Sequence, residues 1–112
     1  MADQQPDAGS QSARSLYKEG FQHFANDRID EAIDCYRRAT ETDPSLSIAW
    51  NGLSKVLQRK GDLDGAVVAA LKIVELEPDD ALSHTNLSIL YQAQGKIDEA
   101  EDEKALATQL QS

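Results

Sequence analysis

The stretch Asp62-Leu63-Asp64-Gly65-Ala66 decides the fold, because nearly the same phrase stands 34 residues to either side of it. Upstream it reads Arg28-Ile29-Asp30-Glu31-Ala32, and downstream Lys96-Ile97-Asp98-Glu99-Ala100. Pro44 and Pro78 each follow their alanine by 12 residues. A period of this size, met three times in 112 residues, describes stacked helical hairpins that bury their apolar faces only against one another.

Working outward from the phrase, six helices are expected. The first unit gives Ala13–Asn26, a turn from Asp27-Arg28, then Ile29–Glu41, stopped before Pro44. The second gives Ser47–Lys60, a turn at Gly61, then Leu63–Leu76, stopped before Pro78. The third gives Ala81–Gln94, a turn at Gly95, then Ile97–Leu110. Glycine suits the left-handed turn that ends a helix, and proline cannot continue one. Asp30, Asp64 and Asp98 open the second helices, where a carboxylate meets the positive end of the helix dipole. Apolar residues fall at three- and four-residue spacing, as in Trp50, Leu53 and Leu57 or Leu87, Leu90 and Tyr91, so each helix has one buried stripe. Ala32, Ala66 and Ala100 are small because the two helices of a hairpin must approach closely there. The repeat units are read as residues 13–46, 47–80 and 81–112, after a disordered polar tail at 1–12.

Composition narrows the function classes. The net charge of −9, from 20 acids and 11 bases, argues against nucleic acid or an anionic membrane as partner, since both need a basic footprint. No apolar run reaches the roughly 18 residues of a membrane span. The segment Met1-Ala2-Asp3-Gln4-Gln5-Pro6 lacks the basic and apolar regions of a signal peptide, so a cytoplasmic protein is expected. Cys35 is the single cysteine, sits in a helical pattern, and reads as packing.

These residues resemble the tetratricopeptide repeat, whose sparse pattern is Trp-x2-Leu-Gly-x2-Tyr, then Ala-x3-Phe, then Pro. The second unit gives Trp50-x2-Leu53-Ser54-x2-Leu57, Ala66-x3-Ala70 and Pro78. The third gives His84-x2-Leu87-Ser88-x2-Tyr91 and Ala100-x3-Lys104. The first gives Leu16-x2-Glu19-Gly20-x2-His23, Ala32-x3-Tyr36 and Pro44. The resemblance implies an all-α fold: three stacked antiparallel helix-turn-helix repeats in a short right-handed superhelix. It implies a groove, lined by the first helix of each pair, that holds a peptide or helix of a partner protein, and no enzymatic activity. Ile33 and Tyr36, then Val67 and Ala70, are expected to face the next unit, while Glu101 and Lys104 in the same slots make the last helix its own cap.

The groove stripe opposite the buried one is expected to present Arg14, Tyr17, Lys18 and Phe21 from the first unit. The second presents Ile48, Asn51, Gly52, Lys55, Gln58 and Arg59, and the third Leu82, Thr85, Asn86, Ile89, Gln92 and Ala93. Phe24 is read either as groove surface or as hairpin packing. The three first helices carry Arg14, Lys18, Lys55, Arg59 and Lys60 against the single acid Glu19. A mildly basic, partly apolar groove on an acidic body points to a partner segment with both acidic and apolar residues.

Co-chaperone members of the family grip a terminal carboxylate with Lys, Asn and Arg at five slots. Those slots hold Tyr17, Phe21, Gly52, Leu82 and Asn86, so that clamp is not expected. In Asp62-Leu63-Asp64-Gly65 the glycine comes too early for a calcium loop, and Ile73 stands where the bidentate Glu would be. His23 and His84 occupy packing slots two units apart, too far for a shared metal. No catalytic set stands out, and no cofactor is expected. The expected function is a protein-binding adaptor, acting as a monomer. The alternatives are a small chaperone, suggested by Tyr17, Phe21 and Phe24, and a self-associating module.

Overall fold

The computed structural model describes residues 12–112, so the tail expected at 1–12 lies, apart from Ser12, outside the described residues. Six helices follow in order: α1 (Ala13–Ala25), α2 (Ile29–Thr42), α3 (Ser47–Lys60), α4 (Leu63–Leu76), α5 (Ala81–Ala93) and α6 (Ile97–Gln111). They pair as hairpins and stack into an elongated superhelix measuring 52 × 28 × 18 Å.

Local chemistry sets the helix ends. The Ser12 hydroxyl accepts from the Ser15 amide at 3.1 Å and caps α1, and Asp62 accepts from the Gly65 amide at 2.9 Å and caps α4. The three hairpin turns use one backbone solution. Asp27, Gly61 and Gly95 occupy the same repeat slot with φ of 60°, 94° and 80°. Glycine takes that left-handed geometry freely, and Asp27 is the only residue with a side chain that does so among the described residues.

The repeat period governs hydrogen bonding as well as sequence. Ser54 Oγ donates to the Ala66 carbonyl at 3.0 Å, and Ser88 Oγ donates to the Ala100 carbonyl at 2.7 Å. Each bond ties the two helices of a hairpin together beside a fully buried alanine. Trp50 Nε1 donates to the Pro44 carbonyl at 2.7 Å, and His84 Nε2 meets the Pro78 carbonyl at the same distance. His84 thus replaces a tryptophan and keeps its hydrogen bond.

The junction between the first two hairpins is built on one ring. Tyr36 is 1% exposed and lies between Gly20 of α1 and Gly52 of α3. A Cβ on Gly20 would fall 2.8 Å from the ring, and one on Gly52 would fall 2.6 Å from it. Two glycines therefore let α1 and α3 close on the ring, and these helices pack directly on each other. Burial pushes the Tyr36 phenol up to about 12, with Tyr17 and Cys35 adding to the shift, so the ring is neutral throughout the physiological range.

This packing corrects one expectation. Gly52 was expected on the groove stripe, but it is buried against Tyr36 because the ring needs the space a side chain would take. Phe24 packs on the core cluster, not into the groove. On α6, Glu101 and Lys104 are exposed, as are the apolar residues Ile97, Leu106 and Leu110.

Candidate protein-binding groove

The helices α1, α3 and α5 present the residues expected to bind a partner. Phe21, Ile48, Leu82 and Ile89 are exposed to between 41% and 64%. Arg14, Lys18 and Lys55 are also exposed, and Asn51 and Asn86 are half-buried. Tyr17 divides its ring between two roles. It is half-buried, 5.8 Å from the Tyr36 ring and 6.4 Å from that of Phe21, so only part of it faces outward.

Two adjoining recesses lie between α3 and α5, floored by α4. The first holds about 130 Å³ and is lined by Asn51, Lys55 and Gln58 on one wall and by Asn86, Ile89 and Leu90 on the other, with Ala70 and Ile73 beneath. The second, of about 180 Å³, shares Asn51, Ile73 and Asn86 and extends to Ile48 and Leu82. The structure thus brings Ile48, Asn51, Lys55, Leu82, Asn86 and Ile89 together. Arg14, Tyr17, Lys18 and Phe21 on α1 line neither recess. Sequence reasoning missed the floor of the groove, Ala70 and Ile73. Their signal was present in the period: Ala70 stands in the slot that Tyr36 fills one unit earlier.

The charges are arranged less uniformly than a count along the first helices suggests. Arg59 Nη2 lies 2.6 Å from Asp27 Oδ1, and Lys60 Nζ lies 2.7 Å from Asp30 Oδ1. Both bases therefore face the first hairpin and are paired across the repeat junction. Gln94 repeats the second bridge one unit on, donating to Asp64 at 2.7 Å. At the opposite end of the groove, Glu77 and Asp80 border the second recess. Lys55 remains as the base within the paired recesses, and it makes no ion pair with the described residues.

Below the groove, His84 joins three elements. Its Nδ1 lies 2.7 Å from Glu103 Oε1 on α6, and its Nε2 2.7 Å from the Pro78 carbonyl in the loop before α5. Both partners are acceptors, and only the imidazolium has two N–H groups to donate. Burial pulls the His84 pKa down, but the hydrogen bonds to Glu103 and Pro78, and the charges of Glu103 and Asp80, outweigh it and the net shift from 6.5 is upward. Cys35 is 5% exposed with its Sγ 3.8 Å from Glu19 Oε1. Burial pushes its thiol up, and the negative charges of Glu19 and Asp34 push it further, which opposes thiolate chemistry. Among the described residues, no three His, Cys, Asp or Glu side chains gather as a metal site would need, and no helix is long and apolar enough to cross a membrane.

Comparison with known proteins follows the same outline. Patterns described as Tetratricopeptide repeat match residues 13–46, 48–80 and 69–102. The peroxisomal targeting signal receptor of Candida albicans is 30% identical over 84 residues, which is 75% of this chain and 14% of that protein. The chain therefore spans only a small part of this relative. The crystal structure of MamA aligns with a TM-score of 0.85 and 26% identity, covering 89% of this chain and 58% of that one. The first TPR of Spaghetti (RPAP3), bound to the HSP90 peptide SRMEEVD, aligns at 0.81 with 23% identity over 92% of this chain and 82% of its own. With repeat matches that together run from residue 13 to residue 102, on a six-helix superhelix, the chain belongs to the tetratricopeptide repeat family of protein-interaction modules.

Proposed function

We propose that this chain is a non-enzymatic adaptor of the cytoplasm. Its groove takes up a segment of a partner protein that carries both acidic and apolar residues. The observation that carries the reading is Lys55 beside exposed Ile89 and the half-buried amides of Asn51 and Asn86, all bordering one recess. Apolar side chains of a ligand would be buried on Ile48, Leu82 and Ile89, while amides fix its backbone and Lys55 selects its charge. Residues 13–46, 47–80 and 81–112 act as the three units of this surface.

The chaperone alternative draws less support. Of Tyr17, Phe21 and Phe24, two pack against the core and only Phe21 is widely exposed, at 56%. That is a contact point, not a shielding surface.

The test is capture of partners from the native source by the wild-type chain and by the Phe21→Ala/Lys55→Glu variant. Proteins held by the wild type, lost with the variant and weakened by added salt are groove ligands. An identical set captured by both, at all salt concentrations, overturns the reading.

A further inference from the structure

The first and second repeat junctions are built on the same slots, filled differently. At the first, Tyr36 lies between Gly20 and Gly52. A displacement of 34 residues along the chain turns this trio into Ala70, Ser54 and Asn86. The ring is gone, and side chains stand where there were glycines. The consequence is geometric. α1 packs directly on α3, but α3 and α5 have no such direct packing, and the recess of about 130 Å³ lies between them. Ala70, Ser54 and Asn86 all line it.

The recess is thus the place of an aromatic ring that the chain supplies at one junction and omits at the next. Its size supports this, since an apolar protein cavity of about 150 Å³ admits benzene. Its walls do too: Ile73, Ile89 and Leu90 offer apolar surface, and Asn51 and Asn86 offer half-buried amides. Lys55 borders the same opening, in a run from Ser45 to Gly61 that contains no acid.

We propose that this recess receives an aromatic side chain, phenylalanine or tyrosine, from a partner segment with a carboxylate next to it. The ring completes the second junction as Tyr36 completes the first, and the carboxylate pairs with Lys55. This rests on the groove being the binding surface and adds the identity of the anchoring residue.

The test uses three probes, acetyl-Asp-Phe-Asp-amide and its counterparts with Ala or Leu at the centre, titrated into the full chain and followed by amide NMR. The Phe peptide is expected to bind about tenfold more tightly than the Ala peptide, and to shift the signals of Ala70, Asn51 and Asn86. Equal affinity of the three peptides along α1, α3 and α5 overturns the ring pocket but leaves the groove reading standing. Shifts confined to Tyr17 and Phe21 do the same. Failure of every peptide to shift any residue of α1, α3 or α5 overturns both.

Ala70→Leu fills the recess from below and is expected to abolish the preference for Phe over Ala. Should that variant fold poorly, Lys55→Glu gives an independent reading on an exposed residue. It is expected to invert the charge preference, so that acetyl-Lys-Phe-Lys-amide binds better than acetyl-Asp-Phe-Asp-amide. An unchanged preference overturns the role given to Lys55.

Discussion

The Tyr36 ring occupies the space that a side chain on Gly52 would need, with Cε1 only 2.6 Å from the position of a Cβ. The ring has little room to retreat, because it is 1% exposed and a Cβ on Gly20 would also fall 2.8 Å from it. Gly52→Ala is therefore expected to destabilise the chain even though alanine favours a helix by about 1 kcal/mol. Overpacking of this kind costs about 1–3 kcal/mol, so the net loss in urea unfolding should reach up to about 2 kcal/mol. Combined with Tyr36→Leu, the same substitution should cost distinctly less than the two single losses added together, since the clash is then relieved. Strict additivity would show that the ring and the glycine do not meet.

A second prediction concerns His84. A group whose pKa is raised on folding stabilises fully below its unfolded value, here near 6.5, and loses that contribution as the pH rises through the folded value. The melting temperature is expected to fall as pH rises from slightly acid to slightly alkaline, with His84 the titrating group by NMR. Glu103→Gln removes the charged acceptor and should flatten the fall. His84→Trp restores the residue type of Trp50 and should remove the His84 contribution while keeping the hydrogen bond to Pro78. A pH-independent melting temperature in the wild type would contradict the doubly donating ring.

Much of this was legible from the period alone. Six helices end within a residue of their expected limits because glycine, proline and the small alanines are local signals that tertiary contacts do not override. The 34-residue spacing also carried the burial of Ala32, Ala66 and Ala100, all fully buried. What it did not carry was the pairing of charges. Arg59 and Lys60 lie on a first helix, but Asp27 and Asp30 belong to the preceding hairpin, and nothing in a helical wheel brings those pairs together. Gly52 was misplaced for a related reason. Its neighbour is a ring from another unit, and a stripe drawn on one helix cannot include it.

Cys35 gives a third expectation. Its thiol is buried and its pKa raised, first by that burial and then by Glu19 and Asp34. A disulfide reagent added at mildly alkaline pH should modify the folded chain far more slowly than the urea-unfolded chain. The ratio should approach the population of the open state when opening is fast. Equal rates would mean that the α1–α2 hairpin does not protect the thiol.

The last prediction separates two bases that the sequence placed on one face. Lys55 borders the recess without a partner among the described residues, whereas Arg59 holds Asp27 at 2.6 Å. For a partner isolated through the groove, Lys55→Glu is expected to weaken binding about tenfold at low salt, with little change in stability. Arg59→Glu should do the reverse. It sets a carboxylate against Asp27 at the first repeat junction and lowers the melting temperature modestly, since an exposed pair contributes at most about 1 kcal/mol. Its effect on affinity should be small. Added salt should erase most of the Lys55 effect, because the attraction it removes is screened over about 10 Å at 0.1 M ionic strength. If Arg59→Glu weakened binding as much as Lys55→Glu did, the ligand would have to reach past the paired recesses to the end of α3, and the site would extend over the first hairpin.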